Sequence, residues 1–233
     1  MKTVIVIPAR WQSTRLPGKP LMHIGNKTMI QHTWEKAKES LADDVIIATD
    51  DQKIFKTATD FGAKAIMTDI CDTGTERVIA AQGFLKADYI INVQGDEPFI
   101  NPSDIDEVIK LLHDHPNKVA TLTTNLCEGE EKDPNVVKAI ANAVGAVGMF
   151  TRSSIYIKTN FTFKHIGIYG YSSRMLEKIS KLEPSESSIR DSLEQLTWMD
   201  NNISIVAGWT SYKSLGVDTK KDLREAIKIY KSI

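Results

Sequence analysis

Lys2-Thr3-Val4-Ile5-Val6-Ile7, running directly into Pro8-Ala9-Arg10-Trp11-Gln12-Ser13-Thr14-Arg15-Leu16-Pro17-Gly18-Lys19-Pro20, is the stretch whose reading decides the fold. The first six residues form an apolar, β-branched run of the kind buried in a parallel sheet. In open sheets of that class ligands lie outside the carboxyl ends of the strands, so the loop begins where a ligand is held. Arg10, Arg15 and Lys19 place three cations in this loop, while Pro8, Pro17, Gly18 and Pro20 exclude a helix and fix the backbone path. Such a loop suits a polyphosphate, arginine gripping oxygens through paired N–H bonds and lysine acting as a point charge. An ordinary solvated loop is the alternative. Neither common phosphate loop is present: no glycine precedes Gly18, which removes a G-x-G-x-x-G fingerprint, and Ser13 stands where a P-loop needs its first glycine.

Working outward, strands and helices alternate. Thr28 and Gln31 have capping-box spacing before a helix to about Ser40. Asp44 to Thr49 is a second strand. Asp51 caps a helix carrying Ile54, Phe55, Ala58 and Phe61 at helical spacing, with Gly62 as its stop. Ala63 to Thr68 is a third strand, Thr73 and Glu76 open a helix to about Leu85, Asp88 to Val93 is a fourth strand, and Ser103 begins the next helix. Alternation of this kind predicts an α/β, doubly wound, mostly parallel sheet, a Rossmann-like arrangement. From about Lys118 the pattern changes. Val119 to Thr124, Val136 to Ala141 and Ala146 to Phe150 are strands with no helix between them, which predicts a small antiparallel excursion over about 118–165 within a single domain of 1–233. Phe163 to Tyr171 is a further strand, followed by helices at Ser173 to Ser180 and Ser188 to Asn201, a strand at Ile203 to Ala207, and a last helix from Thr219.

The bulk properties narrow the function. With 233 residues, 42% hydrophobic content and a formal charge of −1, the chain is globular and offers no broad surface for nucleic acid or an anionic membrane. No apolar run reaches the roughly 18 residues of a membrane span. Cys71 and Cys127 lack metal spacing and are expected as thiols of a reducing cytoplasm.

Several residues carry candidate chemistry. Asp96 follows Gly95 at the end of a strand; it is either an oxygen ligand for a hard cation or a plain turn residue. Asp218 follows Gly216-Val217 and is otherwise a helix-start acid. Thr73-Gly74-Thr75-Glu76-Arg77 opens a helix whose N–H groups can meet a base edge or phosphate, although the cap alone explains Thr73 and Glu76. His165, in Lys164-His165-Ile166-Gly167-Ile168-Tyr169-Gly170-Tyr171, is either structural or catalytic, and the tyrosines alternate as core residues would.

Four segments carry a resemblance: Arg10 to Leu21 (R-x-x-S-T-R-L-P-G-K-P-L), Thr73 to Arg77, Asn92-Val93-Gln94-Gly95-Asp96-Glu97-Pro98, and Gly216-Val217-Asp218-Thr219. Together they resemble the CMP-sugar-acid synthetases, most closely the 3-deoxy-manno-octulosonate (Kdo) cytidylyltransferases. The resemblance implies a cytidylyltransferase joining a 3-deoxy-2-ulosonic acid to CMP from CTP with release of pyrophosphate. It implies Mg2+ on Asp96 and Asp218, with Arg10 and Lys19 also catalytic. CTP contacts are implied for Ala9, Arg10, Arg15, Lys19, Thr73, Gly74 and Arg77, and sugar contacts for Gln94, Arg152, His165, Tyr169, Glu194 and Gln195. A homodimer joined through the excursion and a cytoplasmic role in lipopolysaccharide or capsule synthesis are implied as well. Three departures bear on the sugar. Thr197 replaces the arginine usual after Leu-Glu-Gln-Leu, the 152–165 segment is short, and Met149-Phe150-Thr151-Arg152 replaces Tyr-Phe-Ser-Arg. The rival readings are a related acidic sugar, either an amino-substituted octulosonate or a nonulosonate, and a nucleotide-binding module without catalysis.

Overall fold

The structure, a computed structural model, describes residues 1–12, 16–156, 159–212 and 215–232. Its chain divides into two compact units, Met1–Asp106 with Ser214–Ile233, and Glu107–Lys213. The expected excursion of about 118–165 falls inside the second unit, which also takes in the helices and strand that follow it.

In chain order the first unit contains β1 (Thr3–Ala9), a 3-10 turn (Lys19–Leu21), the hairpin strands β2 (His23–Ile24) and β3 (Lys27–Thr28), α1 (Met29–Lys38), β4 (Asp44–Thr49), α2 (Gln52–Asp60), β5 (Lys64–Met67), α3 (Gly74–Leu85) and β6 (Tyr89–Asn92). Strands β6, β1, β4 and β5 lie side by side in that order, all parallel. The chain builds outward from β1 to β5 and then returns to place β6 on the other side of β1. That reversal makes the carboxyl ends of β1 and β6 a topological switch point, where α/β sheets hold ligands. Val4 to Ile7, Ile46 to Ala48 and Ile90 to Ile91 are buried, as strands covered on both faces require.

The caps show where local chemistry decided the helices. Asp51 Oδ1 accepts from the N–H groups of Lys53 (2.8 Å) and Ile54 (3.0 Å), and Thr73 Oγ1 from that of Glu76 (3.0 Å). The capping box expected at Thr28 and Gln31 is not made. Thr28 belongs to β3, its buried hydroxyl has no hydrogen-bond partner, and the Gln31 amide turns to Glu35 instead.

Helix α4 (Pro102–Asp114) leads into the second unit, which contains β7 (Val119–Thr124), β8 (Lys138–Ala141), β9 (Val147–Thr151), β10 (Thr162–Ser172), α5 (Ser173–Ile179), α6 (Glu186–Asp191), α7 (Glu194–Asp200) and β11 (Ile205–Trp209). Strand β10 pairs antiparallel with β7 and with β8, β8 pairs antiparallel with β9, and β11 joins β7 in parallel. The single helix expected over 188–201 is two, because Ser192 adopts a left-handed φ of 52° and ends α6. The chain then returns to the first unit as α8 (Lys220–Ser232), beginning within a residue of the expected Thr219.

Candidate active site

Three connections converge at the carboxyl ends of β1 and β6. Gly95 sits so close to β1 that a Cβ there would lie 2.9 Å from the Pro8 carbonyl oxygen, so only glycine lets the two strand exits meet. The Thr33 hydroxyl donates to the Gly95 carbonyl (3.2 Å), and the Val217 N–H donates to the Asp96 carbonyl (2.9 Å). At Gly216 a Cβ would meet the Glu97 carboxylate at 3.0 Å. Backbone hydrogen bonding and two glycines thus bring Asp218 beside Asp96. Asp222, one turn into α8, accepts from the N–H groups of Asp218 (3.1 Å) and Thr219 (2.8 Å) and fixes the entry to that helix.

Lys19 closes the cluster. Its Nζ donates to Asp96 Oδ2 (2.5 Å) and Asp218 Oδ1 (3.0 Å). Burial pulls the ammonium down, but Asp96 and then Asp218 outweigh it and leave Lys19 above its ordinary pKa, so it is charged throughout the physiological range. Among the described residues, no three His, Cys, Asp or Glu side chains form a metal cage. A pair of carboxylates within reach of one cation is nevertheless the donor set that magnesium uses when substrate phosphates and water complete its octahedron.

Around this cluster lies a cleft of about 680 Å³ lined by Ala9, Arg10, Lys19, Thr73, Gly74, Arg77, Gln94, Asp96 and Asp218, all residues expected at the site. Arg10 is exposed and donates to the Asp72 carbonyl (3.1 Å), which leaves most of its guanidinium for a ligand. Gly74 begins α3, and a Cβ there would come within 3.3 Å of both Gln94 and Pro8. Its bareness leaves the α3 N-terminus open to the cleft. Arg77 differs from expectation in its surroundings. It is 2% exposed and commits its guanidinium to Asp50 Oδ2 (2.8 Å) and Thr68 Oγ1 (2.6 Å), so it braces the segment ahead of α3. Gln94, expected toward the sugar, lies against Gly74 and donates to Asn92 (3.3 Å). Arg15 lies outside the described residues.

The remaining expected residues gather separately, in the second unit. Between Ile166 opposite Leu122 and Tyr169 opposite Thr121, β10 advances three residues while β7 advances one. This bulge brings the rings of His165 and Tyr169, four residues apart, to a centroid distance of 5.4 Å. Tyr169 is buried and donates to Gln195 Oε1 (3.3 Å); burial and then the Glu194 charge hold its phenol well above the usual range. The His165 ring is enclosed between Phe150 and Tyr169, though the residue keeps some exposed surface. Thr121 spends its hydroxyl proton on the Ile168 carbonyl (2.7 Å), so its oxygen accepts from His165 Nε2–H (2.9 Å), leaving Nδ1 as the acceptor nitrogen. Arg152 donates to three backbone carbonyls, those of Asp191 (3.2 Å), Pro134 (3.3 Å) and Asn135 (3.3 Å), and is a clamp rather than an outstretched cation. Thr197 is buried and accepts from the Ser185 N–H (3.0 Å), tying α7 to the start of α6.

Two residues escaped the sequence reading. Trp11 packs over Gly18, whose φ of 68° and 3.1 Å approach to the indole admit no side chain, and receives the Lys53 ammonium at 4.7 Å from its ring. An aromatic beside a phosphate loop was the available signal. Lys138 is fully buried, donating to the carbonyls of Asp133 (2.9 Å) and Arg152 (2.8 Å). A lysine inside an apolar strand gives no sign of such partners.

Known proteins resemble this chain in sequence and in fold. The cytidylyltransferase family model matches residues 4–207. The chain is 41% identical to a 3-deoxy-manno-octulosonate cytidylyltransferase of Thermodesulfovibrio yellowstonii, over 98% of each chain, and 35% identical to one of Bacteroides thetaiotaomicron, over 100% of this chain and 99% of the relative. A solved structure of CMP:2-keto-3-deoxy-manno-octonic acid synthetase complexed with CTP superposes with a TM-score of 0.95 at 38% identity, covering 100% of this chain and 99% of that one.

Enclosure of His165 sets an acid limit on stability. Burial, and secondarily the Arg152 charge, pushes its pKa down to about 3 from an ordinary value of about 6.5. Below about pH 6.5 the unfolded chain takes up a proton that the folded chain refuses, so this contribution is complete above that pH and declines as pH falls toward about 3. The slope is at most about 1.4 kcal/mol per pH unit. Denaturant melts between pH 7 and pH 4 are expected to show a shallower acid decline for His165→Gln than for the wild type; equal declines would contradict the enclosed, neutral imidazole.

Proposed function

Since the chain belongs to the 3-deoxy-manno-octulosonate cytidylyltransferase family, we propose that it couples 3-deoxy-manno-octulosonate to CMP at the cleft of the first unit. The anomeric hydroxyl oxygen of the sugar acid attacks the α-phosphorus of CTP. A new P–O bond to the sugar forms, the bond from that phosphorus to the oxygen bridging the β-phosphate breaks, pyrophosphate leaves, and the hydroxyl proton passes to solvent. The observation that carries this reading is the convergence of Asp96, Asp218 and Lys19 in a cleft that also presents Arg10 and the N-terminus of α3.

Little covalent chemistry falls to the protein, whose work is placement and charge. Arg10 and Lys19 grip triphosphate oxygens. Thr73 and Gly74 present the α3 N-terminus to the nucleotide, and Arg77 holds that segment in place through Asp50 and Thr68. Asp96 and Asp218 would hold magnesium, which would supply neutralisation of phosphate charge and a lowered pKa for the attacking hydroxyl. In the second unit Tyr169, Gln195, Glu194 and the neutral His165 form a polar and aromatic lining suited to a polyhydroxy acid, with Arg152 keeping the backbone around them fixed.

A homodimer is part of the same proposal. Strand β9 exposes Met149 (50%), and Val144 (78%) and Phe161 (48%) add apolar surface in the same antiparallel segment. A protein of this kind works where CTP is made, in the cytoplasm. Sedimentation at micromolar concentration is expected to give twice the chain mass of 26.0 kDa, and a monomer alone would remove the dimer. Pyrophosphate release with CTP and Mg2+ is expected with 3-deoxy-manno-octulosonate and to fall sharply with UTP, ATP or GTP. Release only with an amino-substituted octulosonate or a nonulosonate would keep the mechanism and move the specificity. Absence of release with every sugar acid in the panel would overturn the proposal in favour of a binding module.

A further inference from the structure

We propose that Lys19 is the resident cation of the Asp96 and Asp218 pair, and that it must move to the nucleotide triphosphate before a divalent ion can occupy the carboxylates, so that nucleotide and metal bind as a coupled pair. The proposal rests on the reading of Asp96 and Asp218 as metal ligands. Its basis is the position of one atom. Lys19 Nζ lies 2.5 Å from Asp96 Oδ2 and 3.0 Å from Asp218 Oδ1, between the two carboxylates that would hold a shared ion. Two cations cannot share that place, because like charges at contact distance repel strongly where solvent is thin. The Lys19 side chain is 15% exposed and that of Asp96 28%, so their contact is not a loose surface pair; Asp218, at 46%, is the open side of the cluster, where an incoming ion arrives.

The surrounding chain limits how Lys19 can yield. Its backbone opens the 3-10 turn between Gly18, held left-handed beneath Trp11, and Pro20, and the Gly18 N–H donates to the Trp11 carbonyl (3.0 Å). The backbone at Gly18 to Pro20 is therefore held, and it is the four-carbon stem of Lys19 that swings. Leaving two carboxylates for water is unfavourable for a half-enclosed ammonium, whereas leaving them for phosphate oxygens exchanges one set of anions for another. A nucleotide in the cleft supplies that second set, and the carboxylates it frees become available to the metal. Metal alone meets a pair whose charge is already half offset and whose shared position is occupied. The resident lysine also keeps the two carboxylates from repelling one another before any ligand arrives.

Calorimetric titration of Mg2+ without nucleotide tests this. Lys19→Met is expected to bind Mg2+ at least about tenfold more tightly than the wild type while losing affinity for CTP; equal or weaker Mg2+ binding in the variant would overturn the proposal. A second measurement needs no variant. In wild-type protein labelled with 15N-lysine, the Lys19 ammonium resonance is expected to stay in place when millimolar Mg2+ is added alone and to move when CTP is added with it. Movement with Mg2+ alone would overturn the proposal even if Lys19→Met failed to fold. The underlying reading fails differently. If the gain in Mg2+ affinity persists when Asp96→Asn is combined with Lys19→Met, the metal-ligand assignment itself is wrong. If no gain appears but Asp96→Asn still abolishes turnover, only the role given to Lys19 falls.

Discussion

One ammonium held between two carboxylates governs the arrangement of the first unit. Asp96 arrives from the end of β6 and Asp218 from the entry to α8, and nothing in their separation along the chain brings them together. What does is the hydrogen bond from Val217 N–H to the Asp96 carbonyl, with Gly216 beside Glu97 and Gly95 against Pro8. Gly95 is needed because its contact is with a backbone carbonyl oxygen that cannot turn aside for a methyl group, whereas the Glu97 carboxylate beside Gly216 can shift. Lys19 then joins the loop after β1 to both. The switch point between β1 and β6 creates the crevice, and this triad fills its floor with charge.

The first unit was legible because its signals are local. Apolar runs, Asp51 and Thr73 as caps, and Gly62 as a stop specify parallel strands and crossover helices one at a time, and their alternation leaves few topologies. Among the candidate residues, those at the ends of strands and at the start of α3 line the cleft, since their place in the topology fixes which edge they reach. Side-chain partners were harder to read. Thr28 holds the N-cap position of α1, yet as the last residue of a hairpin strand its hydroxyl makes no capping bond, and Arg77 lines the cleft while its guanidinium is spent on Asp50 and Thr68. Ser192 breaks a helix by adopting a left-handed backbone that a serine does not advertise.

The second unit shows the same limit. His165 and Tyr169 are neighbours only because β10 bulges against β7, and a register shift of that kind depends on pairing with a strand more than forty residues away. Arg152 and Lys138 are cations whose partners are carbonyls of the chain itself, so each ties neighbouring backbone segments together. Thr197 stands where the family usually carries arginine, and its hydroxyl anchors the turn before α6.

The central claim is that Asp96 and Asp218 act as one unit through their enforced proximity. A double-mutant cycle measures this directly, by comparing kcat/KM for pyrophosphate release in Asp96→Asn, Asp218→Asn and the combined variant. If both carboxylates serve one shared ion, each single substitution removes most of the function and the combined variant is little worse than the poorer single one. Strictly additive losses would contradict the account, because they would mean that two carboxylates joined by one lysine work independently.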